Sequence, residues 1–386
     1  MNVLVTGANG FIGANLTIHL NELGLNTMIY TRENSIQDLP DLIKKSDFIV
    51  HLAGENRPLD EKYFDTVNAR LTASICELVR SVGRKIPIIL ASSMQAILNN
   101  AYGKSKLDAE MIVKKLESDT GNPTYIYRLP GVFGKWCKPN YNSVVATFCH
   151  NISHNLPIKV NDPFFELNLV YIDDVVKEFV RVIQGQQDNK KELSIQPEYK
   201  IKLVDLATQI ELFRESRNSL VSEGVGVGLV SKLYSTYVSY LSPEQFSYSL
   251  PSYGDDRGVF AEMLKTKDSG QFSFFTAKPG VTRGGHYHHS KTEKFLVVQG
   301  EARFSFRHIF SDETYVIATS GNKLKIVETV PGWSHDITNI GSEAIVVMLW
   351  ANEIFDPDNP DTIAVSYTHL RAHETPEHLV CRLLLE

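Results

Sequence analysis

The 386-residue sequence predicts an α/β unit built on a doubly wound parallel sheet, followed by an all-β unit of barrel or jelly-roll type. Three observations predict this. The chain is about two to three times the length of a usual single domain, so more than one core is expected. Its first half alternates short apolar runs with amphipathic helical stretches, the pattern of repeated βαβ units. Beyond Pro251 the alternation gives way to short β-rich runs separated by Gly, Pro and Asp turns.

In chain order, residues 2–5, 27–30, 48–52, 86–91 and 124–128 are rich in Val, Ile, Leu or Tyr, as expected for strands covered on both faces. Between them Leu16, Leu20 and Leu23 recur at helical spacing, as do Leu71, Ile75, Leu78 and Val82, which marks crossover helices. Residues 203–241 read as mostly helical, loosened at Gly224, Gly226 and Gly228 and ended by Pro243. Strands are then expected at 272–277, 294–298, 302–307, 325–330 and 344–350. This places one unit at residues 1–245 and a second at 246–365. Residues 366–386 continue neither pattern, resemble translated adapter or vector sequence, and are read as a non-native tail, so His369, His373 and His378 carry no weight.

Composition narrows the function classes. A hydrophobic fraction of 43% and a charged fraction of 22% are those of a folded soluble protein. The formal net charge of −6 comes without a Lys/Arg-rich run, which argues against nucleic acid or an anionic membrane as partner. The longest clean apolar stretch, residues 344–351, is far short of the roughly 20 residues that span a bilayer. Met1 leads directly into a strand-like run, so a cytoplasmic protein without a cleavable leader is expected. Cys76, Cys137, Cys149 and Cys381 form no C-x-x-C pair, and reduced structural thiols are expected.

Gly7, Gly10 and Gly13 form G-x-x-G-x-x-G directly after the first strand and at the start of the first helix. Glycines there let the backbone turn tightly and approach a pyrophosphate seated on the helix N-terminus, as in a Rossmann dinucleotide-binding unit. The second strand ends Tyr30-Thr31-Arg32, without the carboxylate that accepts from the ribose 2′-hydroxyl of NAD. Arg32 suits a 2′-phosphate, so NADPH is expected. Tyr102 and Lys106 stand four apart on one helix face, where an ammonium cation favours the phenolate and lowers the Tyr pKa for proton exchange with a carbonyl. Ser92 or Ser93, at the end of the preceding strand, can hold the same oxygen.

These segments resemble the extended short-chain dehydrogenase/reductase family: TGANGFIG around Phe11 and Ile12, HLAG ending in Leu52, Ala53 and Gly54, Asn68 in the next helix, ASS, YGKSK, RLPGVFG and VYIDDVV. The resemblance implies Tyr102 as catalytic acid or base, Lys106 as the residue orienting the nicotinamide ribose, and Ser93 as the group polarising the substrate oxygen, with Ser92 the alternate. Only eight residues separate Ser93 from Tyr102, fewer than is usual in that family. Members act mostly on nucleotide-linked sugars, and residues 142–157 with 171–174 would line the sugar-nucleotide side.

In the second half Gly280, His286, His288, Glu293 and Gly300 precede Pro331-Gly332, His335 and Asn339. His286 and His288 alternate on one strand and face the same way, with Glu293 and His335 able to arrive from neighbouring strands. Three imidazoles and a carboxylate suit a first-row divalent ion such as Zn²⁺. The order resembles the two cupin motifs, the first in full and the second with an altered turn, and implies a cupin jelly-roll barrel. Asp255-Asp256-Arg257-Gly258 through Glu262, followed by Arg283-Gly284-Gly285-His286, is similar to the dTDP-4-keto-6-deoxy-sugar 3,5-epimerase branch. That likeness implies His286 as the base for the proton α to the 4-keto group, with Arg257, Glu262 and Arg283 holding the nucleotide sugar. His286 is thereby cast as both ligand and base.

Residues 1–365 together resemble the CapF type of capsular polysaccharide biosynthesis enzyme. This implies a UDP-linked 4-keto-6-deoxy-N-acetylhexosamine epimerised at C3 by the cupin and reduced at C4 with NADPH, and a homodimer. Two alternatives stay open. One is a plain 4-keto-sugar reductase whose metal-binding cupin only binds sugar or dimerises; the other is a cupin acting as an iron oxygenase.

Overall fold

The computed structural model describes residues 1–56, 60, 64–186, 193–250, 253–255, 258–260, 264–266, 271–353 and 358–365. Arg257, Glu262 and the 366–386 tail lie outside the described residues. The chain divides into two compact units, Met1–Ser219 with Val227–Leu241, and Leu220–Gly226 with the residues from Ser242 onward.

In the first unit β1 (Asn2–Thr6), β2 (Asn26–Tyr30), β3 (Phe48–His51), β4 (Ile88–Ser93) and β5 (Thr124–Leu129) form a parallel sheet in the order β2-β1-β3-β4-β5. Helices α1 (Phe11–Glu22), α2 (Leu39–Lys45), α3 (Leu71–Val82) and α4 (Ala101–Thr120) are the crossovers. Leu4, Ile49 and Ile88 on one sheet face meet Leu39 and Ile43 of α2, Ile75 and Val79 of α3, and Val113 and Leu116 of α4. β4 opens two residues later than the apolar run suggested. Pro87 has no N–H for the ladder, so pairing starts at Ile88 and runs on to Ser93. Strand order reverses between β1 and β3, and the crevice at such a switch point, beyond the carboxyl ends of the strands, is where an open α/β sheet takes its ligand.

A smaller sheet, β6 (Gly131–Phe133), β7 (Glu166–Tyr171) and β8 (Tyr199–Lys202), accompanies helices α5 (Val144–Ser153), α6 (Ile172–Ile183), α7 (Leu203–Ser219) and α8 (Gly228–Val238). The expected sugar-lining stretch 171–174 is largely core instead. Tyr171 and Ile172 are fully buried, the Tyr171 ring packs on Phe133, and buried Asp173 accepts from Lys135 Nζ at 2.7 Å.

The second unit holds two antiparallel five-stranded sheets. One runs β10 (Ser247–Ser249), β19 (Lys325–Glu328), β16 (Glu293–Gln299), β21 (Ile345–Ala351), β14 (Gln271–Ala277); the other runs β18 (Thr314–Ser320), β17 (Glu301–His308), β20 (Trp333–Asn339), β15 (Thr282–Tyr287), β22 (Ile363–Ala364). Short strands β9 (Val221–Ser222), β11 (Tyr253–Asp255), β12 (Gly258–Phe260) and β13 (Lys265–Thr266) flank them, with β9 pairing β13. Phe295 from one sheet and Phe304 from the other meet with ring centroids 5.7 Å apart in the jelly-roll interior. Among the described residues no helix is long and apolar enough to cross a membrane.

Candidate functional site

The first site grows from the turn after β1. Gly7 has φ 70°, and a Cβ there would lie 2.7 Å from Ala53 N, so glycine is required on both counts. Gly10 donates to Gly7 O at 2.9 Å and stands as the N-cap of α1 without a side-chain cap. The N–H groups of Phe11, Ile12 and Gly13 therefore open the helix toward the loop, a cradle suited to a pyrophosphate. Thr6 Oγ1 accepts from Leu52 N and Ala53 N, each at 3.2 Å, and joins the 52–54 segment to this turn. Buried His51 bridges Thr6 and Thr72 at 2.7 and 2.9 Å. Burial, helped by the charge of Lys106, holds its imidazole down to about 3, so it is a neutral structural residue.

Arg32 follows β2 with its side chain 82% exposed, and its guanidinium pairs with Glu55 Oε2 at 2.7 Å. Asn68 sits on a π-helical turn, Asp65–Arg70. Its Oδ1 accepts from Glu55 N at 2.8 Å while its Nδ2 donates to Ser105 Oγ at 3.0 Å, linking the loop after β3 to α4.

Helix α4 is capped by Asn100, whose Oδ1 accepts from Gly103 N at 2.7 Å, and this sets Tyr102 and Lys106 in its first turns. Lys106 Nζ donates to Ala91 O at 3.2 Å and lies 5.9 Å from the Tyr102 ring centroid. A Cβ at residue 54 would be 3.1 Å from that nitrogen, so Gly54 makes room for the ammonium. Ser93 lies on the Tyr102 side of the strand, near enough to the phenol to favour its ionised form. Ser92 faces the other way and donates to buried Glu110 Oε1 at 2.6 Å. Glu110 also takes both arms of Arg128, at 2.8 and 2.7 Å.

The expected lowering of the Tyr102 pKa is not what the geometry produces. Burial pushes the phenol up, and the nearby Ser93 hydroxyl only partly opposes it. The ammonium is itself desolvated, which takes Lys106 down to about 8 although Glu110 pulls the other way.

The second site is set by a bulge. Between Gly284, opposite Asp336, and His286, opposite His335, strand β15 carries one extra residue, with Gly284 at φ 97° and Gly285 at φ 83°. The two glycines absorb the irregularity and bring His286 directly across from His335. His288 follows β15 and Glu293 opens β16. One ligand atom from each of His286, His288, Glu293 and His335 lies within 4.8 Å of the others. Glu293 Oε2 is 3.2 Å from His288 Nε2 and 3.5 Å from His335 Nε2, while Lys291 Nζ holds Oε1 at 2.9 Å.

His288, Glu293 and His335 are buried, and His286 is partly exposed. The neighbouring imidazoles and Lys291 hold the Glu293 carboxyl well below the usual range in spite of burial. Among the described residues neither ring nitrogen of buried His335 makes a hydrogen bond, the nearest approach being that of Nε2 to Glu293 Oε2. Buried polar atoms of that kind, beside an ionised carboxylate and a second imidazole, fit a divalent metal ion. Arg283 is exposed, with its guanidinium over the Phe275 ring at 5.1 Å and donating to Thr276 O at 3.2 Å.

Several supporting residues carry no readable motif. Ser105 and Glu55 come to Asn68 only through folding. Glu110 shares a helix with Lys106 but reads as a solvated charge, and Asp361 reaches the histidines from far along the chain.

Comparison with known proteins agrees with this division. Residues 3–195 match the NAD dependent epimerase/dehydratase family and residues 253–363 the polysaccharide biosynthesis C-terminal domain. The chain is 57% identical over 367 residues, 95% of its length and 99% of the relative's, to a UDP-2-acetamido-2,6-beta-L-arabino-hexul-4-ose reductase of Pseudomonas aeruginosa. A spore coat polysaccharide biosynthesis protein of Bacillus subtilis, SpsL, is 25% identical over 122 residues, 29% of this chain and 81% of that protein. Among solved structures, the capsular polysaccharide assembling protein CapF of Staphylococcus aureus superposes with a TM-score of 0.67 at 41% identity, over 95% of this chain and all of that one. The chain belongs to the NAD dependent epimerase/dehydratase family, and within it to the CapF type, in which a polysaccharide biosynthesis C-terminal domain follows the dinucleotide-binding unit.

Proposed function

We propose that the chain is a bifunctional nucleotide-sugar enzyme of capsular polysaccharide precursor synthesis. Its second unit epimerises C3 of a UDP-4-keto-6-deoxy-N-acetylhexosamine, and its first unit reduces the C4 ketone to give UDP-N-acetyl-6-deoxy-L-talosamine, the precursor of UDP-N-acetyl-L-fucosamine. The observation that carries the reading is that one chain, similar along its whole length to a hexul-4-ose reductase, holds a Ser-Tyr-Lys cluster in one unit and a His₃Glu cluster in the other. Chemistry orders the steps. The 4-keto group acidifies the C3 hydrogen, and once the ketone is reduced the new configuration is locked.

In the first unit NADPH, when bound, supplies a hydride for C4. Gly7, Gly10 and Gly13 seat its pyrophosphate; Leu52, Ala53, Gly54 and Asn68 border its ribose side, and Arg32 meets the 2′-phosphate. Tyr102 then gives its proton to the C4 oxygen while Ser93 holds that oxygen. The raised phenol pKa keeps Tyr102 protonated and able to donate at neutral pH. Lys106 fixes the nicotinamide ribose and places a positive charge beside the phenol.

In the second unit a divalent ion, Zn²⁺ in this reading, supplies Lewis acidity when bound. His288, Glu293 and His335, the three buried groups, are its permanent holders, in keeping with three protein ligands at an open catalytic zinc site. His286, at the exposed edge, is kept neutral by burial and by the neighbouring imidazoles of His335 and His288, and it takes the C3 proton, after which solvent returns a proton to the opposite face of C3. Arg283, with Arg257 and Glu262, holds the nucleotide. The active species is a cytoplasmic homodimer, which light scattering of the purified chain tests.

The decisive experiment is incubation of the 4-keto sugar in D₂O without NADPH, followed by NADPH addition at 340 nm. Deuterium at C3 and then NADPH consumption is the expected result. Consumption without deuterium reduces the second unit to a binding module, and neither signal overturns the substrate class.

A further inference from the structure

We propose that Asp361 is a positioning residue for the metal centre, and that residues 361–365 act as a strap that sets two of its imidazoles. The inference rests on the metal reading above and deepens it. Asp361 belongs to no motif of the sequence, yet its carboxylate is the hub of the turn that carries His288. Oδ1 accepts from His289 N at 2.8 Å. Oδ2 accepts from Ser290 N at 2.6 Å, Lys291 N at 2.7 Å and Ser290 Oγ at 2.9 Å. Three successive backbone N–H groups converging on one carboxylate form an anion-binding nest, and the anion here is covalently part of the protein.

The same residue acts on His288 through its main chain. The Asp361 carbonyl bonds His288 Nδ1. A carbonyl can only accept, so Nδ1 carries the proton and Nε2 is the nitrogen turned toward Glu293. The strap then continues along β15: Ile363 pairs with Tyr287, Ala364 with His286, and Val365 N donates to Gly285 O at 2.9 Å. His288 thus receives its tautomer and ring orientation from Asp361, and the backbone of His286 is held by the two residues of β22. Lys291, whose N–H is held by Asp361, is also the residue whose Nζ pairs with Glu293 Oε1. Asp361 therefore bears on two members of the cluster, on His288 through its carbonyl and the turn its carboxylate holds, and on Glu293 through Lys291.

The test uses the full-length chain, wild type and the variants D361A and D361N, each loaded with zinc alone. Zinc content, zinc release to a chelating dye, and hydrogen exchange at the amides of residues 289–291 in the metal-free protein are measured, with NADPH affinity as the folding control for the first unit. D361N keeps the shape and one acceptor oxygen and serves where D361A fails to fold. The expected result is about 10–100-fold faster zinc release, as for loss of other outer partners of metal ligands, with lost protection at 289–291 and unchanged NADPH affinity. Zinc held by variants and wild type alike, with release rates equal, overturns the inference alone. A wild-type chain that takes up no zinc overturns it through the metal reading beneath it, and the wild-type arm tells the two failures apart.

Discussion

The two sites are both largely buried, but they are assembled over different distances along the chain. Ser93, Tyr102 and Lys106 lie on one strand, turn and helix, and a single Asn100 cap with an i, i+4 repeat sets their relation. The His₃Glu cluster draws on β15, the turn after it, β16 and β20, is aimed by a glycine bulge, and is strapped by a residue 73 positions beyond His288. The difference teaches that a helix-borne site needs only its helix and the strand beneath it. A strand-borne site exists only once non-local pairing is complete, so the order that helical hydrogen bonds supply in the other unit comes here from strand register and from long-range contacts such as that of Asp361 with His288.

If the sites are independent, each must fail without the other. Tyr102→Phe removes the proton donor and is expected to slow ketone reduction about 10²–10⁴-fold, leaving NADPH-free deuterium uptake at C3 intact. His286→Ala is expected to do the reverse: no deuterium enters at C3, while NADPH is still consumed when the C3-epimerised ketone is supplied directly. Mass spectrometry and absorbance at 340 nm read both, and joint loss of the two activities in either variant breaks the comparison. Metal removal by a chelator sharpens it: C3 exchange falls while NADPH binding to the first unit is unchanged, as a fluorescence titration would record.

Gly7→Ala comes next. With φ at 70° and Ala53 N in the way of the added carbon, NADPH affinity is expected to fall at least about tenfold, whereas zinc content stays at the wild-type level.

His51 offers a pH test confined to the first unit. Its folded pKa lies below the ordinary histidine value, so the unfolded chain binds the proton first. Stability is therefore full above pH about 6.5 and is lost as pH falls from there toward 3, by about 1.4 kcal/mol per pH unit within the window. Acid denaturation of His51→Gln should show a flatter slope over that range. An unchanged slope would mean that His51 is not the buried neutral group described.

The smallest effect is expected at Arg32. Its exposed guanidinium is shared with Glu55, so Arg32→Ala should raise the KM for NADPH only several-fold and leave that for NADH nearly unchanged. Equal change for both cofactors would remove the 2′-phosphate assignment.

Much of this was legible before folding. The glycine turn, the Tyr102 and Lys106 pair and the histidine pattern are local spacings, and local spacings map onto helix faces and strand faces without knowledge of the rest. The choice between Ser92 and Ser93 was not, because neighbours on a strand face opposite ways and only the placement of Glu110 shows which side is which. Residues 171–174, which the family resemblance gave to the sugar-nucleotide side, prove largely core, because the Tyr171 ring packs on Phe133 and Asp173 pairs with Lys135, neighbours that no local spacing reveals. The sign of the Tyr102 shift also escaped, since sequence shows the neighbouring charge and not the desolvation that outweighs it.

What the sequence by itself determined is the division into an α/β and a β unit, the turn that takes a dinucleotide, and the chemical kinds of side chain available to each site, because these follow from periodicity and residue type. What only the tertiary structure decided is the burial that holds Lys106 at about 8 and His51 at about 3, the bulge that sets His286 against His335, and the reach of Asp361 to His288. Desolvation and long-range strand pairing are properties of the packed chain, and no local spacing encodes them.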